Sequence, residues 1–252
     1  MKKKHLITRR KAIITGLGSA AGLWLTGCVK KAPPTYGNIL RMGDALTYAA
    51  QRALLPGQSL VKEYQPSNIS AFPATGTTNP GEPSGGGDHK VAYNKEYAQL
   101  HSSSFADWRL TIEGSVPRPA TFSLADLKSF TPRSQITRHT CEEGWTAIAE
   151  WKGVPLHTLL ASTGLNKNAR YVNFYAYDDY VDSIDMLDAL HPQTILAYGM
   201  NGQDLPVAHG APLRVRVETQ IGYKSVKYLH RIVVTDEFVD PGDTGWAWYT
   251  GI

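Results

Sequence analysis

Residues 137–145 read Thr137-Arg138-His139-Thr140-Cys141-Glu142-Glu143-Gly144-Trp145. The chain from Ser134 to Cys141 reads as an extended run that delivers a thiol to its end. A thiolate is a soft ligand suited to a thiophilic metal. Positive neighbours keep such a group ionised, and Arg138 and His139 lie close in sequence. The planar fork of Arg138 also suits an anionic or oxo group. A buried core thiol beside a surface charge would explain the same residues. The other cysteine is Cys28, and two cysteines exclude a disulfide scaffold while leaving one bridge possible.

A second cluster lies further along the chain. It runs Leu190-His191-Pro192-Gln193-Thr194, then Val207-Ala208-His209-Gly210-Ala211-Pro212-Leu213-Arg214, then Gly222-Tyr223-Lys224-Ser225-Val226-Lys227. His209, Arg214 and Lys227 supply three donors, and Gly210 and Gly222 permit close backbone approach. Such a set suits a phosphate and a polar heterocycle. A basic strand face paired with Glu218 is the plainer alternative.

The segments around these clusters define the fold class. Trp108, Leu110 and Ile112 alternate with polar residues, which predicts a strand ending at Gly114. Ser123 before Leu124-Ala125-Asp126-Leu127 predicts a capped short helix. Leu156, Leu159 and Leu160 have helical spacing, and Gly164 supplies the stop. Arg170 to Tyr177 is β-rich. Thr194 to Met200 is expected to turn across Asn201-Gly202. Leu213, Val215 and Val217 alternate with Arg214, Arg216 and Glu218, and Leu229 to Thr235 closes the set. Short strands and few short helices, without regular strand–helix alternation, predict an α+β fold with a mixed sheet or partial barrel. Residues 28–104 read as a looser lead, with a Pro/Gly-rich surface loop at 73–88 and a helix within Asn38 to Leu55. The compact part, 105–240, is expected to start near Phe105. An aromatic tail, 241–252, follows.

Of the 252 residues, 42% are hydrophobic and 19% charged, enough apolar material for a sizeable core. The net charge of +4 is misleading. Residues 1–27 hold six of the 26 Lys and Arg and no acid. Without them 20 bases face 22 acids, a net charge near −2. That excludes a broad nucleic-acid surface. Residues 1–27 read as an export signal. Arg9-Arg10 resembles a twin-arginine pair, with Ala12 where Phe is usual. Leu25-Thr26-Gly27-Cys28 resembles a lipoprotein cleavage box, with Cys28 taking the lipid. The expected location is therefore periplasmic and lipid-anchored. An uncleaved N-terminal anchor is the alternative. Twin-arginine export moves folded proteins, which points to a cofactor inserted before export.

Four runs stand in one order: Arg-x-x-Cys-x-Glu-x-Trp at 138–145, His-Pro-x-Thr at 191–194, Gly-Ala-Pro-Leu-Arg at 210–214 and Gly-Tyr-Lys-x-x-Lys at 222–227. Together they resemble the sulfite-oxidase-fold molybdopterin oxidoreductases, especially periplasmic members related to the catalytic subunit of protein methionine-sulfoxide reductase. The resemblance covers roughly Tyr93 to Thr235. It implies one molybdopterin per chain, carrying molybdenum or tungsten, with Cys141 as the protein ligand to the metal. It implies cofactor contacts from His209, Arg214, Ser225, Val226 and Lys227. It adds Asn94 and Tyr97, which match an Asn-x-x-Tyr segment, and Ala176 through its backbone. Two positions depart from the reductase pattern: His209 stands where that enzyme has Asn, and Ala176 where it has Thr.

The reaction so implied is two-electron oxygen-atom transfer, with Cys141 and Arg138 as the catalytic residues and Arg138 facing the oxo group. His139 stands behind them or simply packs. Asp178, Asp179, Tyr180 and Asp182 either line the pocket mouth or form a solvated loop. Reduction of an S-oxide or N-oxide, small or protein-bound, is favoured over sulfite oxidation, because few cations are placed for an anion. The chain carries no haem-attachment Cys-x-x-Cys-His motif. Electrons would come from a haem-containing membrane subunit or a cytochrome. The rival readings are a Cys-dependent hydrolase or transferase and a lipoprotein that binds a cofactor without turnover.

Overall fold

The computed structural model describes residues 60–87, 91 and 93–236. The signal segment, Cys28, the helix expected within Asn38 to Leu55 and the aromatic tail lie outside the described residues. Two five-stranded sheets carry the fold, the first in the order β2-β1-β10-β5-β6. Its strands are β1 (Arg109–Gly114), β2 (Ala120–Ser123), β5 (Tyr171–Ala176), β6 (Val181–Asp185) and β10 (Leu229–Thr235). β1 and β10 run parallel and the other pairs antiparallel, so this is the expected mixed sheet. The second sheet joins β3 (Arg133–Thr140), β4 (Thr146–Pro155), β7 (Ile195–Met200) and β8 (Gln203–Asp204), with β9 (Arg214–Arg216) on β7.

Local chemistry explains the element ends. Ser123 caps helix α2 (Leu124–Ser129), α1 being Lys95–Ser102; the Ser123 hydroxyl accepts from the Asp126 amide, and Asp126 answers to the Ser123 amide. Helix α3 (Leu156–Thr163) stops at Gly164, whose φ of +74° only glycine adopts freely. Asn201 and Gly202 both have positive φ, which matches the twist of the β7–β8 hairpin. Gly153 lets β4 press on β7, because a Cβ there would sit 2.1 Å from the Leu196 carbonyl oxygen.

The main core packs Trp108, Leu110, Ile112, Phe174, Tyr228 and Ile232 under the first sheet, all fully buried. At roughly 1.5–3 kcal/mol per fully buried large side chain, this cluster is the chief stabilising term. The core reaches back to α1, ahead of the expected start near Phe105. Tyr97 on α1 is wholly buried against Phe105, Tyr177 and Tyr228. Helix α1 conceals this in sequence because Tyr97 is its one buried residue. The 73–88 segment also behaves differently from a free surface loop. The carbonyls of Thr75 and Thr77 accept from the Lys227 ammonium, and Thr77 accepts from the Tyr228 hydroxyl. The segment has few apolar side chains to bury, so its attachment runs through main-chain acceptors that composition does not show.

Candidate functional site

Strand β3 ends in a tight turn. The Cys141 amide donates to the Trp145 carbonyl, and the Gly144 amide returns to Cys141. Gly144 takes φ of +91° with open space where a Cβ would stand. The turn points the Cys141 side chain into a cavity of about 520 Å³. The same cavity is lined by His139, Trp145, His209, Arg214, Ser225, Val226 and Lys227. A strap, residues 72–77, closes one side, and Glu142, Glu143, Asp178 and Asp179 also line the cavity. The Phe72 ring stands among His139, Trp145, Trp151 and His209 at 5.2–5.6 Å between centroids.

Strand alternation separates the two basic neighbours of the thiol. His139 is buried and faces the cavity, whereas Arg138 is exposed and absent from the cavity lining. The Arg138 Nε donates to the Tyr64 hydroxyl at 3.1 Å. The expectation that Arg138 faces the reacting group is therefore corrected. With a period of two, a residue beside His139 must point to the opposite face.

Other expected contacts also fall outside the lining. Asn94 caps α1, accepting from the Tyr97 amide and donating to the Tyr177 carbonyl at 2.8 Å. The Tyr97 hydroxyl donates to the Ala211 carbonyl at 2.8 Å. Ala176 is buried at the end of β5, and its amide donates to Tyr180. These three shape the wall from behind: Asn94 and Ala176 hold the loop that carries Asp178 into the lining, and Tyr97 holds Ala211, next to His209 and Arg214 in the chain. The His191–Thr194 run is likewise structural. His191 is buried and its Nδ1 accepts from the Gln193 amide, while the Thr194 hydroxyl donates to Asp188.

The electrostatics differ from a primed nucleophile. Glu142 Oε2 lies 3.6 Å from the Cys141 sulfur and Glu143 Oε2 lies 3.8 Å away. Burial, with both carboxylates alongside, pushes the Cys141 thiol up to about 11. Burial, with Arg214 and Lys227 nearby, brings His209 down to about 4. Burial and the Arg216 and Arg214 charges hold His139 far below the usual imidazole range. With both imidazoles held below their ordinary range, neither readily accepts the thiol proton, which counts against the hydrolase reading. Metal-free protein should react with iodoacetamide at pH 7.5 about a hundred-fold more slowly than an ordinary cysteine, because little thiolate is present. The rate should climb steadily towards pH 10. Fast alkylation at neutral pH would contradict this electrostatic account.

Behind the cavity, β9 places two arginines over one indole. The Arg214 and Arg216 guanidinium carbons lie 5.0 and 4.5 Å from the Trp151 ring centre. Arg214 is buried and donates to the His209 and Ser225 carbonyls at 3.0 Å each. Its Nε has no hydrogen-bond partner in the structure. Arg216 forms a two-pronged, buried pair with Glu218 at 2.9 and 3.1 Å. The plainer reading of this strand thus holds for Arg216, while Arg214 reaches the cavity. Lys224, between these runs, is buried with Asp182 at 2.8 Å.

The description of the oxidoreductase molybdopterin binding domain matches residues 97–241. The chain belongs to that family. The putative protein-methionine-sulfoxide reductase subunit YedZ1 of Azospira oryzae is 42% identical over 150 residues, covering 58% of this chain and 56% of its own. The protein-methionine-sulfoxide reductase catalytic subunit MsrP of Ralstonia nicotianae is 34% identical, covering 52% and 44%. The chain spans about half the length of these curated relatives. Among solved structures, the sulfane dehydrogenase SoxCD from Paracoccus pantotrophus superposes with a TM-score of 0.50 at 26% identity, covering 53% of this chain and 39% of that one.

The cavity residues fit a molybdopterin. Its volume suits a ligand of that size. A sulfur donor stands on one side, and the unpaired Arg214 Nε marks a buried donor that a phosphate or heterocycle would satisfy. Gly222 leaves room beside them, since a Cβ there would lie 2.8 Å from His139 Nε2. Sequence reasoning missed the strap, whose composition carries no chemical signal. It favoured a solvated loop over a pocket mouth for Asp178, Asp179, Tyr180 and Asp182; the first three line the cavity, while Asp182 is buried against Lys224.

Proposed function

We propose that the chain is an exported molybdenum–molybdopterin oxidoreductase that carries out two-electron oxygen-atom transfer, reducing S-oxides or N-oxides. The observation that carries this reading is the pair of carboxylates beside Cys141. Glu142 and Glu143 lie 3.6 and 3.8 Å from the sulfur, so an anion such as sulfite meets repulsion there while a neutral oxide does not. The names of the relatives suggest protein-bound methionine sulfoxide as one substrate. The likeness to a sulfane dehydrogenase is the one observation that favours oxidation.

The bound cofactor supplies the redox chemistry and the place where oxygen is exchanged. Cys141 offers its sulfur as the protein ligand, and its proton leaves when a metal binds. Arg214 and Lys227 hold the phosphate end, with His209 and the backbone of Ser225 and Val226 against the ring system. For an S-oxide, the sulfur–oxygen bond breaks and sulfur leaves as the sulfide. Two electrons and two protons carry the oxygen to water. The electrons come from a haem-containing membrane subunit or a cytochrome. Residues 1–27 would direct twin-arginine export, and a lipid on Cys28 would keep the enzyme at the periplasmic membrane surface.

Protein made in a molybdopterin-competent host should contain about one molybdenum per chain. It should oxidise reduced viologen with a sulfoxide panel and leave sulfite untouched in the presence of an electron acceptor. Turnover of sulfite alone would reverse the direction; absence of metal and pterin would end the reading. Arg138→Ala, an exposed site outside the cavity, should keep kcat/KM within about threefold of wild type. A loss near a hundred-fold would return Arg138 to the reacting centre.

A further inference from the structure

His139 belongs to a buried chain that no other part of the mechanism uses. Arg216 NH1 approaches His139 Nδ1 at 2.6 Å. An arginine can only donate, so Nδ1 must be the bare, accepting nitrogen. The ring proton of the neutral imidazole therefore sits on Nε2. Arg216 is fixed in turn by Glu218, whose Oε1 also accepts from Gln135 at 3.0 Å. Arg216 is 1% exposed and Glu218 7%, so the chain is sealed from water. The other ring edge faces the cavity. Gly222 packs close to this edge: a Cβ there would lie 2.8 Å from His139 Nε2 and 3.0 Å from Glu142 Oε2, so any side chain at 222 would crowd the nitrogen. The ring plane is held by Phe72 and Trp145 at 5.2 and 5.4 Å.

Arg214, Lys227 and His209 are assigned above to the cofactor. Trp145 Nε1 donates to Glu143, and the Tyr180 hydroxyl to the Tyr223 carbonyl. Arg138 is on the far face. For His139 Nε2 no hydrogen-bond partner is recorded among the described residues, and it is not among the buried unpaired atoms. It is open to whatever enters the cavity.

We propose that His139, through Nε2, is the fixed hydrogen-bond donor to the oxide oxygen of the substrate, with Arg216 and Glu218 as positioning residues that set its tautomer. This rests on the oxide-reductase reading above. His139 keeps its proton throughout and takes no part in redox chemistry. A preorganised donor of this kind stabilises the charge that grows on oxygen as the sulfur–oxygen bond breaks.

The test uses the holoenzyme with a sulfoxide substrate and measures kcat, KM and molybdenum content together. His139→Phe keeps the ring contacts and removes the donor. It should lose about a hundred-fold in kcat, with little change in KM and full metal content. His139→Gln offers Arg216 an acceptor and the cavity an N–H, and should recover at least tenfold of that loss. Nitrogen-15 spectra of histidine-labelled protein should show His139 protonated on Nε2. In Arg216→Met/Glu218→Met, which leaves neither charge buried alone, the two ring signals should move together and kcat should fall.

His139→Phe within threefold of wild type at full metal content overturns the proposal. Equal losses in the Phe and Gln variants overturn it, as does a ring protonated on Nδ1. Loss of metal from His139→Phe alone would assign the residue to cofactor binding and overturn it too. Wild-type holoenzyme that turns over no oxide sinks the functional reading and takes this inference with it. Wild-type turnover matched by His139→Phe sinks only the inference.

Discussion

Cys141→Ser is expected to reduce turnover to background and to release most of the metal. Cys141 is 7% exposed and heads a hydrogen-bonded turn at the end of β3. A serine oxygen is harder, shorter and protonated at neutral pH, so it is a poor ligand for a thiophilic centre. Loss of the ligand removes several kcal/mol from the reaction, roughly a thousand-fold or more at 1.36 kcal/mol per tenfold. Elemental analysis and viologen oxidation check the two halves separately. Unchanged turnover with normal molybdenum would exclude sulfur ligation. Retained metal with lost turnover would make Cys141 a tuning group rather than an anchor.

The second large effect concerns stability. Asp182→Ala should destabilise the fold by about 3–5 kcal/mol, the usual cost of stranding one charge of a buried pair. The Lys224 ammonium bonds Asp182 Oδ1 and the Ser183 carbonyl, each at 2.8 Å, with side-chain exposures of 2% and 5% for the pair. Burial pushes the Asp182 carboxyl above its ordinary range while the Lys224 charge pulls it back. The pair is therefore a guarded liability more than a source of stability. For a chain of this size, the loss corresponds to a fall in Tm of roughly 6–20 °C. Asp182→Leu/Lys224→Met should recover most of it. Lys224 also ends the turn that leads into Ser225, Val226 and Lys227, so cofactor content should fall with the single variant. A thermal shift under 3 °C would refute this account.

Much of the architecture was legible in sequence where one force decides the outcome. The β1 alternation, the Ser123 cap, the Gly164 stop and the Asn201-Gly202 hairpin are local, and each appears in place. The thiol and the cationic cradle were legible as residue types at a spacing, and Cys141, His209, Arg214, Ser225, Val226 and Lys227 do share one cavity. Arg138 was misread because sequence neighbours on a strand are not spatial neighbours. The period-two rule was available and would have favoured His139. Asn94, Tyr97 and Ala176 were placed by resemblance, and their side chains or amides instead tie the wall together. The strap was invisible because its bonds use backbone oxygens. The acidic surroundings of Cys141 were written in Glu142 and Glu143, but their effect on the sulfur depends on the turn that folds them back.

The parallel contact between β1 and β10 has a consequence for how the molecule is made. Thr111 pairs with Arg231 and Gly114 with Val234, so the centre of the first sheet joins stretches separated by more than a hundred residues. Such distant closure is slow, because the chain must find its far end before local gains accumulate. A ribosome-bound chain still lacking Leu229–Thr235 holds β1 and β5 with no strand between them, their unpaired edges open to aggregation. Formation of the first sheet thus waits on the synthesis of β10, and chaperone demand should be greatest just before it appears.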